Sequence, residues 1–106
     1  MNIEEVKFLC SVGSISWTEH ATKRMIQRGI EQKEVISCIN HGEIIEEYPE
    51  DYPYPSCLIY GITEYNRVLH VVVSVQGNMT KILNIITSYE PDTERFKEDL
   101  KTRRNR

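Results

Sequence analysis

The sequence lacks a long hydrophobic run. None of its apolar stretches approaches the ~20 residues that a transmembrane helix requires, so we expect no membrane span. The first residues, MNIEEVKFLCSV, are acidic and lack the positively charged n-region of a signal peptide. We therefore expect a cytoplasmic protein.

Cysteine and histidine are also scarce. The three cysteines, Cys10, Cys38 and Cys57, are widely spaced and contain no Cys-x-x-Cys pair, which argues against a disulfide framework and a zinc knuckle. The three histidines form no His-x-x-x-His pair, and the carboxylates cluster away from them. We expect free, buried thiols, no metal and no cofactor.

An excess of positive charge is missing as well. The formal net charge is −3, whereas nonspecific affinity for nucleic acid depends on Lys and Arg that neutralise phosphates. The charge is uneven, because EIIEEYPEDY (43–52) is acidic and KTRRNR (101–106) is basic. This asymmetry permits a local basic site. It also favours an alternative function, in which a non-catalytic domain docks a partner protein through its acidic face.

The residue pattern predicts one α+β domain over residues 1–106. Apolar spacing predicts three helices over 2–12, 17–28 and 31–41, with Ser16 or Thr18 as the cap of the second helix and Gly29 as its stop. Four strands are expected over 43–48, 57–63, 67–75 and 80–89, and their short turns favour antiparallel pairing. Pro91 and Asp92 favour a final helix over 92–104. The expected fold is thus N-terminal helices on a four-stranded antiparallel sheet with a C-terminal helix.

A basic edge is expected along the second helix. His20, Arg24 and Arg28 recur every four residues, which places an imidazole and two guanidiniums along one edge, close to the apolar stripe of that helix. We expect the body of the domain to hold these cations in place. Such a set suits phosphate chemistry. Arg28 paired with Glu46 or Glu47 is the competing interpretation.

Two further residues are candidates for proton transfer. Alternation along the third strand places Leu69, Val71 and Val73 in the core and His70 on the other sheet face. Tyr89 ends the fourth strand and carries a phenol that can orient a phosphate or donate a proton. Purely structural roles remain open for both, namely a half-buried, hydrogen-bonded histidine and a tyrosine that closes the core edge.

Together these groups meet the chemical needs of metal-independent RNA cleavage. That reaction requires a base for the 2′-hydroxyl, an acid for the leaving oxygen and cations for the crowded phosphate. Histidine titrates near neutral pH, and arginine binds phosphate through two donors at once. The sequence therefore suggests one site in which His20 and His70 are the base and the acid and Arg24 and Arg28 hold the phosphate.

Four motifs carry a family resemblance. They are T18-E-H-A-x-x-R-M-x-x-R-G-I30, Y48-x-x-D51-x-P53-x-P-S56-C-L58, L69-H70-V-V-V73 and S88-Y89-x-P-D92. With their spacing, they resemble the bacterial family called domain of unknown function 4258, over about residues 17–104, with an additional N-terminal helix over 1–13. That family is similar to the RelE/ParE/BrnT toxin-like group of small ribonucleases, which has a RelE/barnase-like fold.

The resemblance implies a function and partners. It implies the toxin component of a toxin–antitoxin module, with mRNA cleavage as the activity. The implied partners are a small zinc-finger antitoxin with Cys-x-x-Cys pairs and RNA or the ribosome. Carried over by position, the implied site residues are again His20, Arg24, Arg28, His70 and Tyr89.

Overall fold

The computed structural model describes residues 1–105 and contains three helices and a five-stranded mixed sheet. The elements, in chain order, are α1 (Ile3–Ser11), β1 (Ile15–Trp17), α2 (Glu19–Arg28), α3 (Gln32–Asn40), β2 (Glu43–Tyr48), β3 (Ser56–Ile62), β4 (Val68–Gln76) and β5 (Ile82–Tyr89). The strand order is β1-β5-β4-β3-β2, and the α+β class is confirmed. No helix within residues 1–105 is both long and apolar enough to cross a bilayer.

The prediction of four strands in an antiparallel sheet is wrong because of β1. This strand runs parallel to β5, with Ile15 opposite Leu83 and Trp17 opposite Ile85. Three residues are too few to show a periodic pattern, so no sequence pattern predicts this strand. The other neighbouring pairs in the sheet are antiparallel, as predicted.

All three helices pack on one face of the sheet. The core joins buried side chains of the helices to those of the central strands, among them Val6, Ala21, Met25, Val35, Ile39, Ile59, Leu69, Val71, Val73 and Ile85. Of the two predicted caps of α2 the structure selects Thr18, whose Oγ1 accepts a hydrogen bond from the Ala21 amide (3.1 Å), so the helix begins after Trp17. The predicted stop is confirmed, because Gly29 takes a left-handed φ of 64°. These caps fix where α2 ends, and Arg28 is its last residue.

The sheet face turned away from the helices is here called the second face. The predicted alternation of β4 is confirmed, since Leu69, Val71 and Val73 lie in the core and His70 pairs across the second face with Tyr89. The register between β4 and β5 shifts between Val72 and Val73, which leaves one extra residue in β5. Such a bulge redirects side chains at the point where the ladder is interrupted.

The predicted C-terminal helix is also wrong, because residues 91–105 form turns and no helix. Asp99 accepts hydrogen bonds from the Lys101 and Thr102 amides, and Leu100 takes a positive φ of 60°, so a helix cannot continue. The chain folds back, and Phe96 pairs with Arg103. This C-terminal segment covers part of the second face, where Phe96 is 1% exposed. Arg106, the end of the basic tail, lies outside the described residues.

Candidate functional site

His70 lies beneath the C-terminal segment and is completely buried. Its Nε2 is 2.7 Å from the Leu100 carbonyl oxygen, and its Nδ1 is 3.2 Å from the Tyr89 hydroxyl oxygen. A carbonyl only accepts, so Nε2 carries the proton. In a neutral ring Nδ1 is then the acceptor, and the Tyr89 hydroxyl donates to it. The ring of Phe96 packs edge-on at 4.6 Å and completes the enclosure.

Burial sets the protonation of this pair. It lowers the pKa of His70 and raises the pKa of Tyr89, so both groups are neutral near pH 7. Because the Tyr89 hydroxyl donates its hydrogen bond to His70, the phenolic oxygen keeps its own lone pairs as acceptors. His70 is completely buried, so its contact with the cleft runs through Tyr89.

Arg28 crosses the edge of β5 just beyond the end of β1. Its Nη1 donates to the Ser88 carbonyl oxygen at 2.7 Å and lies 3.4 Å from Thr87 Oγ1. Its Nε and Nη2 have no hydrogen-bond partner within residues 1–105. The alternative pairing with Glu46 or Glu47 does not occur, because these carboxylates bind Arg103 and the N-terminal amine.

Arg28 and Tyr89 line one cleft of about 360 Å³, together with Thr87, Glu90, Asp92 and Arg95. The guanidinium of Arg95 makes no ion pair or hydrogen bond with the residues that the structure describes. Two arginines with free donors therefore line one cleft with Tyr89 at one end of β5. Sequence reasoning missed Arg95 because it assigned the residue to a helix.

The carboxylates of this cleft, here called the phosphate cleft, already have partners. Glu90 receives Arg67 Nη2 at 2.9 Å, and Asp92 Oδ1 accepts the Glu94 and Arg95 amides at 3.0 Å each. Their charges still offset much of the charge of Arg28 and Arg95. The cleft is thus suited to a single anion held by hydrogen bonds and not to strong long-range attraction.

Arg67 fixes the two sides of the phosphate cleft relative to each other. Its Nη1 lies 3.1 Å from both carboxylate oxygens of Glu34 and 2.9 Å from the Gly29 carbonyl, while Nη2 binds Glu90. One side chain therefore ties the end of α2 and the start of α3 to the end of β5. No sequence motif predicts this role of Arg67.

His20 and Arg24 are exposed on α2, so the expectation that the body of the domain holds them is wrong. The buried stripe of α2 is narrow, comprising Ala21 and Met25, and the neighbouring positions reach solvent. Arg24 contacts only Gln27, at 3.1 Å. His20 and His70 also lie on opposite sides of the sheet. The structure brings together Arg28, Tyr89 and His70, and leaves His20 and Arg24 on the outer edge of α2.

The acidic strand β2 is largely neutralised within the chain. Glu43 pairs with Lys101 (3.2 Å), Glu46 with Arg103 (3.0 Å) and Glu47 with the N-terminal amine (2.9 Å). Burial acts to raise the pKa of Glu46, but hydrogen bonds from Arg103 and Tyr48 lower it overall. Less unpaired negative charge is thus available to a partner protein than the sequence suggests.

The cysteines are free and buried. Burial raises the pKa of the Cys38 and Cys57 thiols to about 12, so both remain protonated and unreactive at neutral pH. Within residues 1–105, no group of three or more His, Cys, Asp or Glu side chains is placed to hold a metal ion.

The family model described as Domain of unknown function (DUF4258) matches residues 17–90. The chain belongs to this family. The DUF4258 match covers α2 through β5 and so includes His20, Arg24, Arg28, His70 and Tyr89. It ends before the C-terminal segment, which the resemblance was expected to include, and so leaves out Arg95. No match was found among curated proteins.

Proposed function

We propose that the protein is the toxin component of a toxin–antitoxin module that binds and cleaves single-stranded RNA without a metal. The observation that supports this best is the phosphate cleft, where Arg28 of α2 lies together with Tyr89 and Arg95, although about 60 residues separate it from them in the sequence. Arginine is the side chain best suited to a phosphodiester because its planar donors match two phosphate oxygens.

The basic edge of α2 extends this site. Arg24 and His20 lie one and two steps of four residues before Arg28, which corresponds to about 6 Å per step along the helix axis. Their exposure, unexpected from the sequence, makes them accessible to the backbone of an extended strand. Arg28 and Arg95 hold the scissile phosphate, and Arg24 and His20 contact neighbouring phosphates.

Tyr89 is the proposed base in this reaction. The 2′-oxygen attacks the phosphorus and loses its proton to the Tyr89 oxygen, while the proton of Tyr89 passes to His70 Nδ1. The bond from phosphorus to the 5′-oxygen breaks, and the leaving oxygen takes a proton from water. The hydroxide ion formed in this way is neutralised by the proton that His70 returns through Tyr89, which restores both side chains. The products are a 2′,3′-cyclic phosphate and a 5′-hydroxyl. Burial lowers the pKa of His70, and the Leu100 carbonyl and the charge of Glu46 oppose it only in part, so the protonated ring is short-lived. The Leu100 carbonyl also fixes the tautomer of the neutral ring.

The wider assignment follows from the sequence resemblance. On that basis we propose that the chain is a member of the RelE/ParE/BrnT toxin-like group and acts in the cytoplasm. The proposed partners are a zinc-finger antitoxin and RNA or the ribosome. The near-balance of charges in the phosphate cleft agrees with weak intrinsic RNA affinity and with delivery of the substrate by the ribosome. The alternative, docking through the acidic face, receives less support because β2 is neutralised within the chain.

Cleavage of single-stranded RNA by the purified protein, with and without chelator and with and without ribosomes, tests the proposal. We expect cleavage that survives the chelator and leaves a cyclic phosphate end. Tyr89→Phe, which removes only the hydroxyl, should slow it by about 10²-fold or more. Tyr65→Phe, at an exposed tyrosine away from the cleft, is the matched control. An unchanged rate in Tyr89→Phe, or cleavage abolished by the chelator, contradicts the mechanism.

The toxin role has its own test. Induced expression should arrest growth, and Arg28→Ala should relieve the arrest at equal protein level. Arrest that persists undiminished in Arg28→Ala argues that growth inhibition does not depend on this cleft.

A further inference from the structure

A second cleft lies on the second face of the sheet, at the opposite end of β5 from Tyr89. It measures about 490 Å³, which is larger than the phosphate cleft. Asn84, Ser74 and Gln76 form its floor, and Tyr52 and Tyr54 of the loop between β2 and β3 form its wall. Nothing in the proposed reaction uses these residues.

The floor presents one unpaired donor and one unpaired acceptor. Asn84 Nδ2 lies 3.1 Å from Gln76 Oε1 and 3.3 Å from Ser74 Oγ, which leaves Asn84 Oδ1 and Gln76 Nε2 without partners in residues 1–105. If both amides are turned over, the pair still bonds and again leaves one donor and one acceptor. This pattern is complementary to the hydrogen-bonding edge of a nucleobase, and amide side chains are common readers of such edges.

The wall presents aromatic surface to solvent. Tyr52 is 95% exposed, and Tyr54 is half-buried. Asp51 accepts a hydrogen bond from the Ser56 hydroxyl, which ties the loop to the first residue of β3. An exposed aromatic ring beside free amide groups is the combination that single-stranded RNA-binding proteins use, with the ring stacking on an unstacked base.

The two clefts are adjacent along one strand. Asn84 and Tyr89 both lie on the second face and are about 16 Å apart along β5. The bulge between them leaves Ile86 lining the second cleft and Thr87 lining the phosphate cleft. A short stretch of extended RNA can therefore contact both clefts.

We propose that this second cleft binds one unstacked base of single-stranded RNA, stacked on Tyr52 or Tyr54 and recognised by Asn84 and Gln76. This inference rests on the proposed RNA function and adds base selection to it. The phosphate cleft positions the backbone, and the second cleft determines which base stands a few nucleotides from the bond that is cut.

Binding of two oligonucleotides to the full chain tests the inference. One is a short single-stranded RNA made uncleavable by a 2′-O-methyl group on each ribose, and the other is its abasic counterpart, which keeps every phosphate. Tyr52→Ala combined with Tyr54→Ala should weaken binding of the intact strand by about 10-fold or more and leave binding of the abasic strand unchanged. Asn84→Ala should change the order of preference among strands of a single base. Tyr65→Ala should change neither property.

Further outcomes separate this inference from the proposed function. If Arg28→Ala weakens binding of both strands and the double tyrosine variant weakens binding of neither, the base site is refuted and the phosphate cleft stands. If the tyrosine variant affects only the intact strand and Arg28→Ala affects neither, the base site stands and the phosphate cleft is refuted. Equal weakening of both strands by the tyrosine variant overturns the base site. Failure of the wild-type chain to bind either strand overturns both.

Discussion

His70 makes stability depend on pH in a direction that the structure determines. The ring is completely buried, and burial lowers its pKa below the ordinary value of 6.5. On acidification the unfolded chain binds a proton that the folded chain resists. The folded state therefore loses stability as the pH falls below the unfolded pKa, until the folded pKa is reached. Between about pH 7.5 and about pH 5.5 this loss is at most about 1.4 kcal/mol for one proton.

Urea denaturation followed by circular dichroism at those two pH values measures the effect, and both lie above the range in which carboxylates titrate. A loss of 1 kcal/mol lowers Tm by roughly 4–8 °C in a domain of this size. His70→Gln is the control, because it keeps a polar side chain and cannot titrate. The variant should be less stable at both pH values and should show a smaller pH dependence. Equal stability of the wild type at both values, or a wild-type slope that persists in His70→Gln, refutes the account of His70.

Three further substitutions test the packing around the site. Phe96→Ala should lower the free energy of unfolding by about 3–5 kcal/mol, because the ring is 1% exposed and encloses His70. Wild-type stability of this variant would show that the C-terminal segment is not part of the fold. Gly61→Ala should cost about 1–3 kcal/mol, because the new Cβ would lie 2.2 Å from the Cys38 carbonyl oxygen; an unchanged urea midpoint would contradict the close packing of α3 on β3. Arg67→Ala should lower the free energy of unfolding by about 2 kcal/mol, because it leaves Glu34 buried without its ion pair. Arg67→Lys should restore only part of this loss, because lysine lacks the planar donors of a guanidinium, and full restoration would contradict this account.

The parts of the fold that local chemistry determines were predictable. Thr18 and Gly29 mark the ends of α2 through capping and a positive φ, and the valine run of β4 shows which side chains enter the core. These features depend on residues close together in the sequence. From these features followed the α+β class and the antiparallel pairing of each strand with its neighbour in the series β2, β3, β4 and β5.

The parts that depend on distant contacts were not predictable. Ile15–Trp17 becomes a strand only because β5 offers it an edge, and residues 91–105 leave the helical path to cover Phe96 and His70. The role of Arg67 depends on Glu34 and Glu90, which are distant in the sequence. Propensity contains no information about such partners.

The candidate site likewise has a part that local sequence predicts and a part that depends on distant contacts. The sequence identified Arg28, His70 and Tyr89 as chemically relevant, and the structure places these three together. It could not show that His70 is enclosed or that Arg95 lines the same cleft as Arg28, because both follow from the path of the C-terminal segment. Helical periodicity also overestimated the contact that His20 and Arg24 make with the domain, since it does not give the width of the buried stripe.

The affinity for single-stranded RNA as a function of salt tests the central claim most directly. The comparison is between the wild type, the double variant Arg28→Ala with Arg95→Ala, and Lys23→Ala, which removes an exposed charge from α2 outside the cleft. The account predicts that the double variant binds at least about 10-fold more weakly. It also predicts that the slope of log K against log salt becomes shallower by about 1.4, the value for two phosphate contacts on a single strand, while Lys23→Ala remains close to wild type. A double variant that matches Lys23→Ala in affinity and slope would contradict the claim that this cleft holds an RNA phosphate.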